Sequence, residues 1–210
     1  MRIGVIQAAS QKGKNELLYS CTLNAVKSPD AEIINFGVFP HEDSSITYVE
    51  TALCISLLLA GGAVDFVVTG CSSGQGMMLA CNSLPGVLCG YAPTPQDAFL
   101  FGRINGGNAV SLPLGLNFGW SGEINLQCTL DKLFDGPFGT GYPPVDAARK
   151  AADTAMLKQI NAATKRALPE VFALYDKTLV RSALRRSIVT DYIIANGTEE
   201  TVKALIRSYI

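Results

Sequence analysis

Along the first two-thirds of the chain, short β-branched runs alternate with stretches whose apolar residues recur every three to four positions. Ile3–Ala8 reads as a first strand, and a helix over Lys14–Val26 would place Leu17, Leu18, Cys21 and Ala25 on one face. Pro29-Asp30 ends that helix, and Glu32–Phe36 reads as a second strand. Gly37–Ser45 is a polar loop containing His41. Thr47–Ala60 is a strongly apolar helix stopped by Gly61-Gly62. A third strand follows at Val64–Val68, then the small-residue run Gly70–Gly76 and a helix entered at Met77–Ala80. Val87–Tyr91 and Asn108–Leu112 read as strands four and five, separated by a helix over Gln96–Arg103 and the turn Asn105-Gly106-Gly107. The last helix of this unit spans Trp120–Phe134.

Such alternation predicts an α/β fold, a parallel Rossmann-like sheet with right-handed crossovers. Five strands in the order 2-1-3-4-5 would bring the tips of the first and third together at the switch point, where open sheets bind ligands. The pattern alone leaves that order open. The glycines and prolines of 136–144 close the unit, so 1–135 is expected to form the α/β domain and 136–210 a helical extension. Within the extension, Val145–Ala167 is alanine-rich and is broken at Leu168-Pro169. Val171, Phe172, Leu174, Tyr175 and Leu179 then form an apolar face, and Ile188–Ile194 and Val202–Ile210 supply two more. Helices this short must dock their stripes on the body or on another subunit.

Composition narrows the function. At 48% hydrophobic and 17% charged, the chain has enough apolar residues for one large core or a subunit interface. A net charge of −1 argues against a nucleic-acid partner. Residues 1–135 carry 6 Lys/Arg against 11 Asp/Glu, whereas 136–210 carry 11 against 7, which suggests that a basic tail packs on an acidic body. A solvated helical face explains the same numbers. The most apolar stretch, Ala52–Val64, is too short to span a bilayer, so no membrane association is expected. Six cysteines without a CxxC pair point to reduced thiols and a cytoplasmic setting. With a single histidine and no HExxH, neither a metal nor another cofactor is expected.

The chemistry concentrates in VDFVVTGCSSGQGMMLACN, Val64–Asn82. A buried strand, a small-residue turn and a helix leave the first helical amides unpaired, which favours negative charge there. Cys71 opens that turn, where oriented amides favour a thiolate and hence a base. Ser72, Ser73, Gly74, Gln75 and Gly76 could present an oxyanion site, with Ser73 adding a hydroxyl. The alternative is an inert, small apolar Cys71. Cys21, Cys54, Cys81, Cys89 and Cys128 lie in apolar patterns and take that reading. A nucleotide site is the weaker reading of the loop, since Gly70-x-x-x-Gly74-x-Gly76 fits neither the Walker nor the dinucleotide pattern. At the first strand tip, Gln7, Ser10, Gln11, Lys14 and Asn15 are candidates to hold hydroxyls or an anion, or are ordinary loop and first-turn residues. Arg103 is a candidate anion partner or a surface ion pair. Asn105 and Asn108 would order the approach to the fifth strand and are weaker binding candidates. Trp120 is expected in the core or an interface.

GCSSGQGMMLACN resembles the Cys-Gly-Thr-Gly-x-Gly loop and following helix of the ribose-5-phosphate isomerase B and galactose-6-phosphate isomerase family. Cys71, Gly74, Gly76 and Asn82 fall on its marked positions, while Ser72 and Ser73 replace a glycine and a threonine. The likeness extends through Asn105-Gly106-Gly107-Asn108. It is nearest a longer branch marked by Ser10, Gln11, Lys14 and Asn15 and by a helical extension. The resemblance implies the 2-1-3-4-5 sheet and a metal-independent aldose–ketose isomerase with a cysteine base. It also implies a homodimer or dimer of dimers with sites between subunits. Two departures stand out: Ala9-Ser10 replaces Asp-His, and Cys89-Gly90-Tyr91 replaces Cys-His-Asp. Those histidines serve ring opening or phosphate contact in the family. The expected activity is that of a sugar-phosphate isomerase. The alternative is a ketol-isomerase of an open-chain sugar acid such as a 4-deoxy-5-hexosulose uronate, and the non-enzyme alternative is a sugar-binding module that has lost catalysis.

Overall fold

The computed structural model describes residues 1–43 and 45–209. Ser44, in the expected Gly37–Ser45 loop, and Ile210, at the end of the expected Val202–Ile210 segment, lie outside the described residues. The strands are β1 (Arg2–Val5), β2 (Glu32–Asn35), β3 (Phe66–Cys71), β4 (Cys89–Tyr91) and β5 (Ala109–Pro113). They form one five-stranded parallel sheet in the order β2-β1-β3-β5-β4. The α/β class is as expected. The last two strands, however, exchange places relative to the expected 2-1-3-4-5 order.

Burial explains the exchange. β5 has four successive buried residues and pairs on both sides, with Val68 opposite Val110 and Tyr91 opposite Ser111. β4 has three residues, of which only Cys89 is buried, so it sits at the edge where a strand needs one neighbour.

Helices α1 (Asn15–Ala25), α2 (Tyr48–Ala60), α3 (Gln75–Asn82), α4 (Pro95–Leu100) and α5 (Gly122–Leu133) complete the body. Thr47 caps α2 in a capping box, its side chain accepting from the Glu50 amide while Glu50 accepts from the Thr47 N–H at 2.7 Å. The helix expected over Gln96–Arg103 stops early. α4 passes into a single π turn over Phe101–Asn105, closed by the Gly106 N–H on Phe101 O at 3.0 Å with Gly106 at φ +51. Residues of α1, α4 and α5 share one apolar cluster with one sheet face. On the other face lie α2 and α3.

The extension adds α6 (Ala147–Thr164), α7 (Leu168–Leu174), α8 (Lys177–Leu184), α9 (Ser187–Asn196) and α10 (Glu200–Arg207). The expected break of the alanine-rich helix falls just before Leu168-Pro169, which begins α7, because proline is tolerated in a first helical turn. α2 is buried continuously from Thr51 to Leu58. A helix that is apolar all round needs cover on both sides. The sheet supplies one side, and Phe172, Val180, Ala183, Leu184, Val189 and Ile193 of the extension join the same core on the other. α6 stands apart with only Thr154 buried, its hydroxyl donating to Ile104 O at 2.7 Å. No helix among the described residues is long and apolar enough to cross a membrane.

Because Phe172 is 1% exposed within the core shared by body and extension, Phe172→Ala should lower the unfolding free energy by about 3–5 kcal/mol in urea titrations. A loss below about 1 kcal/mol would show that the extension docks only loosely.

Candidate active site

The chain reverses between β3 and α3 in three residues, Ser72-Ser73-Gly74. Gly70 and Cys71, expected in the turn, are the last residues of β3, and Gln75 and Gly76 are the first of α3. Gly70 is there for the sheet: a Cβ would lie 2.5 Å from Leu112 O and 2.9 Å from the Leu114 side chain. Gly74 makes the reversal. Its φ is +76, and a Cβ would lie 2.8 Å from the Tyr91 ring and 2.9 Å from the Leu112 carbonyl carbon.

Cys71 is 7% exposed, and its Sγ accepts the Gly74 N–H at 3.2 Å. Ser111 donates to Gly74 O at 2.6 Å, fixing the turn from β5. The Gln75 N–H reaches the Ser73 hydroxyl at 3.4 Å. Among the described residues no side chain accepts from the Gly76 or Met77 N–H, so these first-turn amides of α3 stay available to a ligand. The thiol is thus held against a donor beside a set of amides, an arrangement able to take a proton from carbon and steady the oxyanion that results. Other cysteines are poorly suited to this: burial pushes the Cys54 thiol up to about 12 and raises that of Cys21. Cys89 is raised well above its usual value, first by its hydrogen bond with Cys81 and then by burial. Cys128, expected in an apolar setting, is exposed.

The tip of β1 lies next to this turn, since the Ala8 N–H bonds Gly70 O at 3.0 Å. Gln11 crosses to Ser72, donating to its hydroxyl at 2.8 Å. Ser10 is exposed beside it, and the Lys14 ammonium lies 3.6 Å from the Phe118 ring centroid. Gln7 and Asn15 sit deeper and brace the loops. Gln7 donates to Val38 O at 2.7 Å and accepts from Asn15 at 2.9 Å, while Asn15 also exchanges amide bonds with Asn35.

Four candidates go elsewhere. Asn82 ends α3 and clamps the start of β4 through both Cys89 backbone groups, at 2.8 and 2.9 Å. Asn108 precedes β5, accepting from Leu88 N at 2.8 Å and donating to Gly86 O at 2.7 Å. These two pin the amino-terminal end of the sheet, opposite Cys71. Asn105 is exposed at the end of the π turn, beside a groove it shares with Asn82, Tyr91 and Leu157. Arg103 is buried against the end of α5, donating to Leu133 O at 2.9 Å and facing Phe138. Burial lowers its pKa, opposed by the charge of Asp135. Trp120, expected in core or interface, is fully exposed in the single chain.

Sequence reasoning missed Lys12, Tyr48, Tyr91 and Ser111. Lys12 lies in the same 3-10 turn as Gln11 and donates to Glu42 O at 2.9 Å. Tyr48 lies within 3.6 Å of where a Cβ on Gly76 would sit. Lys12 was findable from its spacing to Lys14; the tyrosines and Ser111 reach the loop only through tertiary packing.

Residues 9–120 match the model of the Ribose/Galactose Isomerase family. The chain belongs to that family. Among solved structures, a 4-deoxy-L-threo-5-hexosulose-uronate ketol-isomerase complexed with a tartrate is 37% identical, with a TM-score of 0.94 over 100% of this chain and 99% of that one. A ribose-5-phosphate isomerase from Vibrio parahaemolyticus is 35% identical, also at TM-score 0.94 and with the same coverage. The type B ribose 5-phosphate isomerase of Trypanosoma cruzi, 20% identical, shares the fold at TM-score 0.62, covering 78% of this chain and 99% of that one. No curated protein matches. As a member of this family the chain is a sugar isomerase.

Because Gly74 combines a left-handed φ with contacts on two strands, Gly74→Ala should cost this isomerase about 100-fold in kcat/KM while leaving it folded by circular dichroism. Wild-type activity in that variant would show that the turn is not part of the site.

Proposed function

We propose that this isomerase interconverts the aldose and ketose forms of an open-chain sugar acid, without a metal and with Cys71 as base. The carrying observation is where the cations lie. Lys12 and Lys14 belong to the 3-10 turn whose Gln11 bonds Ser72 of the Cys71 turn, whereas Arg103 is buried at the opposite end of the sheet and the single histidine, His41, stacks on Phe39 in an exposed loop. Lysine point charges with amide and hydroxyl donors suit a carboxylate, and an open-chain substrate needs no imidazole for ring opening. The 37% identity to a uronate ketol-isomerase supports this choice. The 35% identity to a ribose-5-phosphate isomerase favours the second reading, a sugar phosphate.

In the reaction, Cys71 as the thiolate takes the proton from the carbon next to the carbonyl and becomes the thiol. The electron pair moves onto the carbonyl oxygen, giving an enediolate whose charge faces the first-turn amides of α3. The Ser73 hydroxyl relays a proton between the two oxygens, and Cys71 returns its proton to the neighbouring carbon. The metal-free reading rests on the donor set: among the described residues no three His, Cys, Asp or Glu side chains converge on one point. The large exposed apolar side chains Leu116, Trp120 and Ile124, and Met156, Leu157 and Ile160 of α6, support a homodimer.

Cys71→Ala should lose at least the ~100-fold typical of a general base, and chelators should leave turnover unchanged. With both substrates assayed, the uronate should be preferred over ribose 5-phosphate by at least about 100-fold in kcat/KM. The reverse preference would establish the sugar-phosphate reading. Sedimentation at micromolar concentration should give a dimer, and a fully active monomer would refute that assembly.

A further inference from the structure

Arg186, between α8 and α9, is a charged side chain in an apolar setting, only 7% exposed. It forms a two-pronged contact with Glu42, Nη1 to Oε2 at 2.7 Å and Nη2 to Oε1 at 3.3 Å, and its Nη2 also donates to Phe36 O at 2.7 Å. Phe36, Gly37 and Phe39 wrap this pair. At Gly37, with φ +80, a Cβ would lie 2.8 Å from Glu42 Oε1 and 2.9 Å from Arg186 Nη2. Glu42 also accepts the Phe39 N–H at 2.9 Å.

We propose that Arg186 is a positioning residue: through Glu42 it fixes the loop that holds Lys12 and the tip of β1 beside Cys71, and so sets the affinity for the substrate's anionic end. This rests on the anionic substrate of the proposed function, whether carboxylate or phosphate. The connections are direct. Glu42 O accepts the Lys12 ammonium at 2.9 Å, Gly37 O accepts the Gln7 N–H at 3.1 Å, and Ile46 O accepts the Ala9 N–H at 3.1 Å. From Ala9 the chain runs one 3-10 turn to Gln11, which bonds Ser72.

Docking the extension does not call for this charge. Phe172, Val180, Leu184, Val189 and Ile193 already bury an apolar face on α2. An apolar side chain of similar volume would serve adhesion as well as a buried ion pair, whose desolvation offsets most of its attraction. What the fork adds is direction: its planar geometry fixes where the carboxylate and its loop sit. Burial disfavours the Glu42 carboxylate, but hydrogen bonds from Arg186 and Phe39 and the arginine's charge outweigh it and hold the group below the usual carboxylate range.

The test is steady-state kinetics on whichever of the uronate and ribose 5-phosphate is turned over, in the full chain. Arg186→Met and Glu42→Gln should each raise KM about tenfold with kcat within about threefold, and the double variant should be no worse than either single one. Arg186→Lys should recover part of the affinity. Phe172→Leu, which weakens docking of the extension without touching the loop, should leave KM unchanged. Unchanged KM in Arg186→Met, or an equal rise in Phe172→Leu, would overturn the proposal. A binding assay separates it from the isomerase reading: protection of Cys71 from iodoacetamide by tartrate should need about tenfold more tartrate in Arg186→Met. If neither substrate is turned over but that shift appears, the positioning role stands and the reaction assignment falls. Absence of both turnover and protection in the wild type would overturn both.

Discussion

Between β3 and α3 the backbone must turn back within three residues while β5 and Tyr91 press against it, and a glycine at φ +76 is what permits this. The remaining features of the site follow from that reversal. It brings the Gly74 amide to 3.2 Å from Cys71 Sγ and aims the first amides of α3 into the same space. Leu112 and Tyr91 stand close by, because β5 lies beside β3 and β4 outside it. A side chain at 74 would disturb thiol, amides and strand spacing together. In the proposed reaction, the turn is where sheet packing and proton transfer impose the same condition.

The second constraint is α2. A helix buried from Thr51 to Leu58 cannot face water, so the body by itself would expose a broad apolar surface. The extension covers it, and in doing so carries Arg186 to the loop that follows β2. In the proposed positioning role, the extension thereby gains a hold on the substrate side of the site. The same economy appears at the other end of the sheet, where Asn82 and Asn108 spend their amides on the backbone of 86–89 and fix the short edge strand in register.

Much of this was legible in the sequence, for local reasons. Alternating periodicity gave the α/β class and nearly every helix, and the small residues around Cys71 marked the turn. The family motif carried the reaction class. What escaped was set by contacts between distant segments. Nothing in the pattern of 87–113 says which strand is central; that depends on β5 being buried on both faces. Gly70 looks like a turn residue because a glycine needed for close strand approach and one needed for a left-handed φ are the same letter. Asn82 and Asn108 fall on family-marked positions yet serve β4, and Arg103 looked like an anion partner because burial against Phe138 cannot be read from its neighbours.

In the proposed reaction, Cys71 moves the proton between adjacent carbons of the substrate. Isomerisation in deuterium oxide, followed by NMR at the carbon that gains hydrogen, tests this most directly. In the wild-type chain the hydrogen gained is either the one taken from the adjacent carbon or a solvent deuteron exchanged onto Cys71, and Cys71→Ala is expected to lose transfer from both sources together with turnover. Hydrogen transfer from either source that persists at the wild-type rate in Cys71→Ala would contradict it.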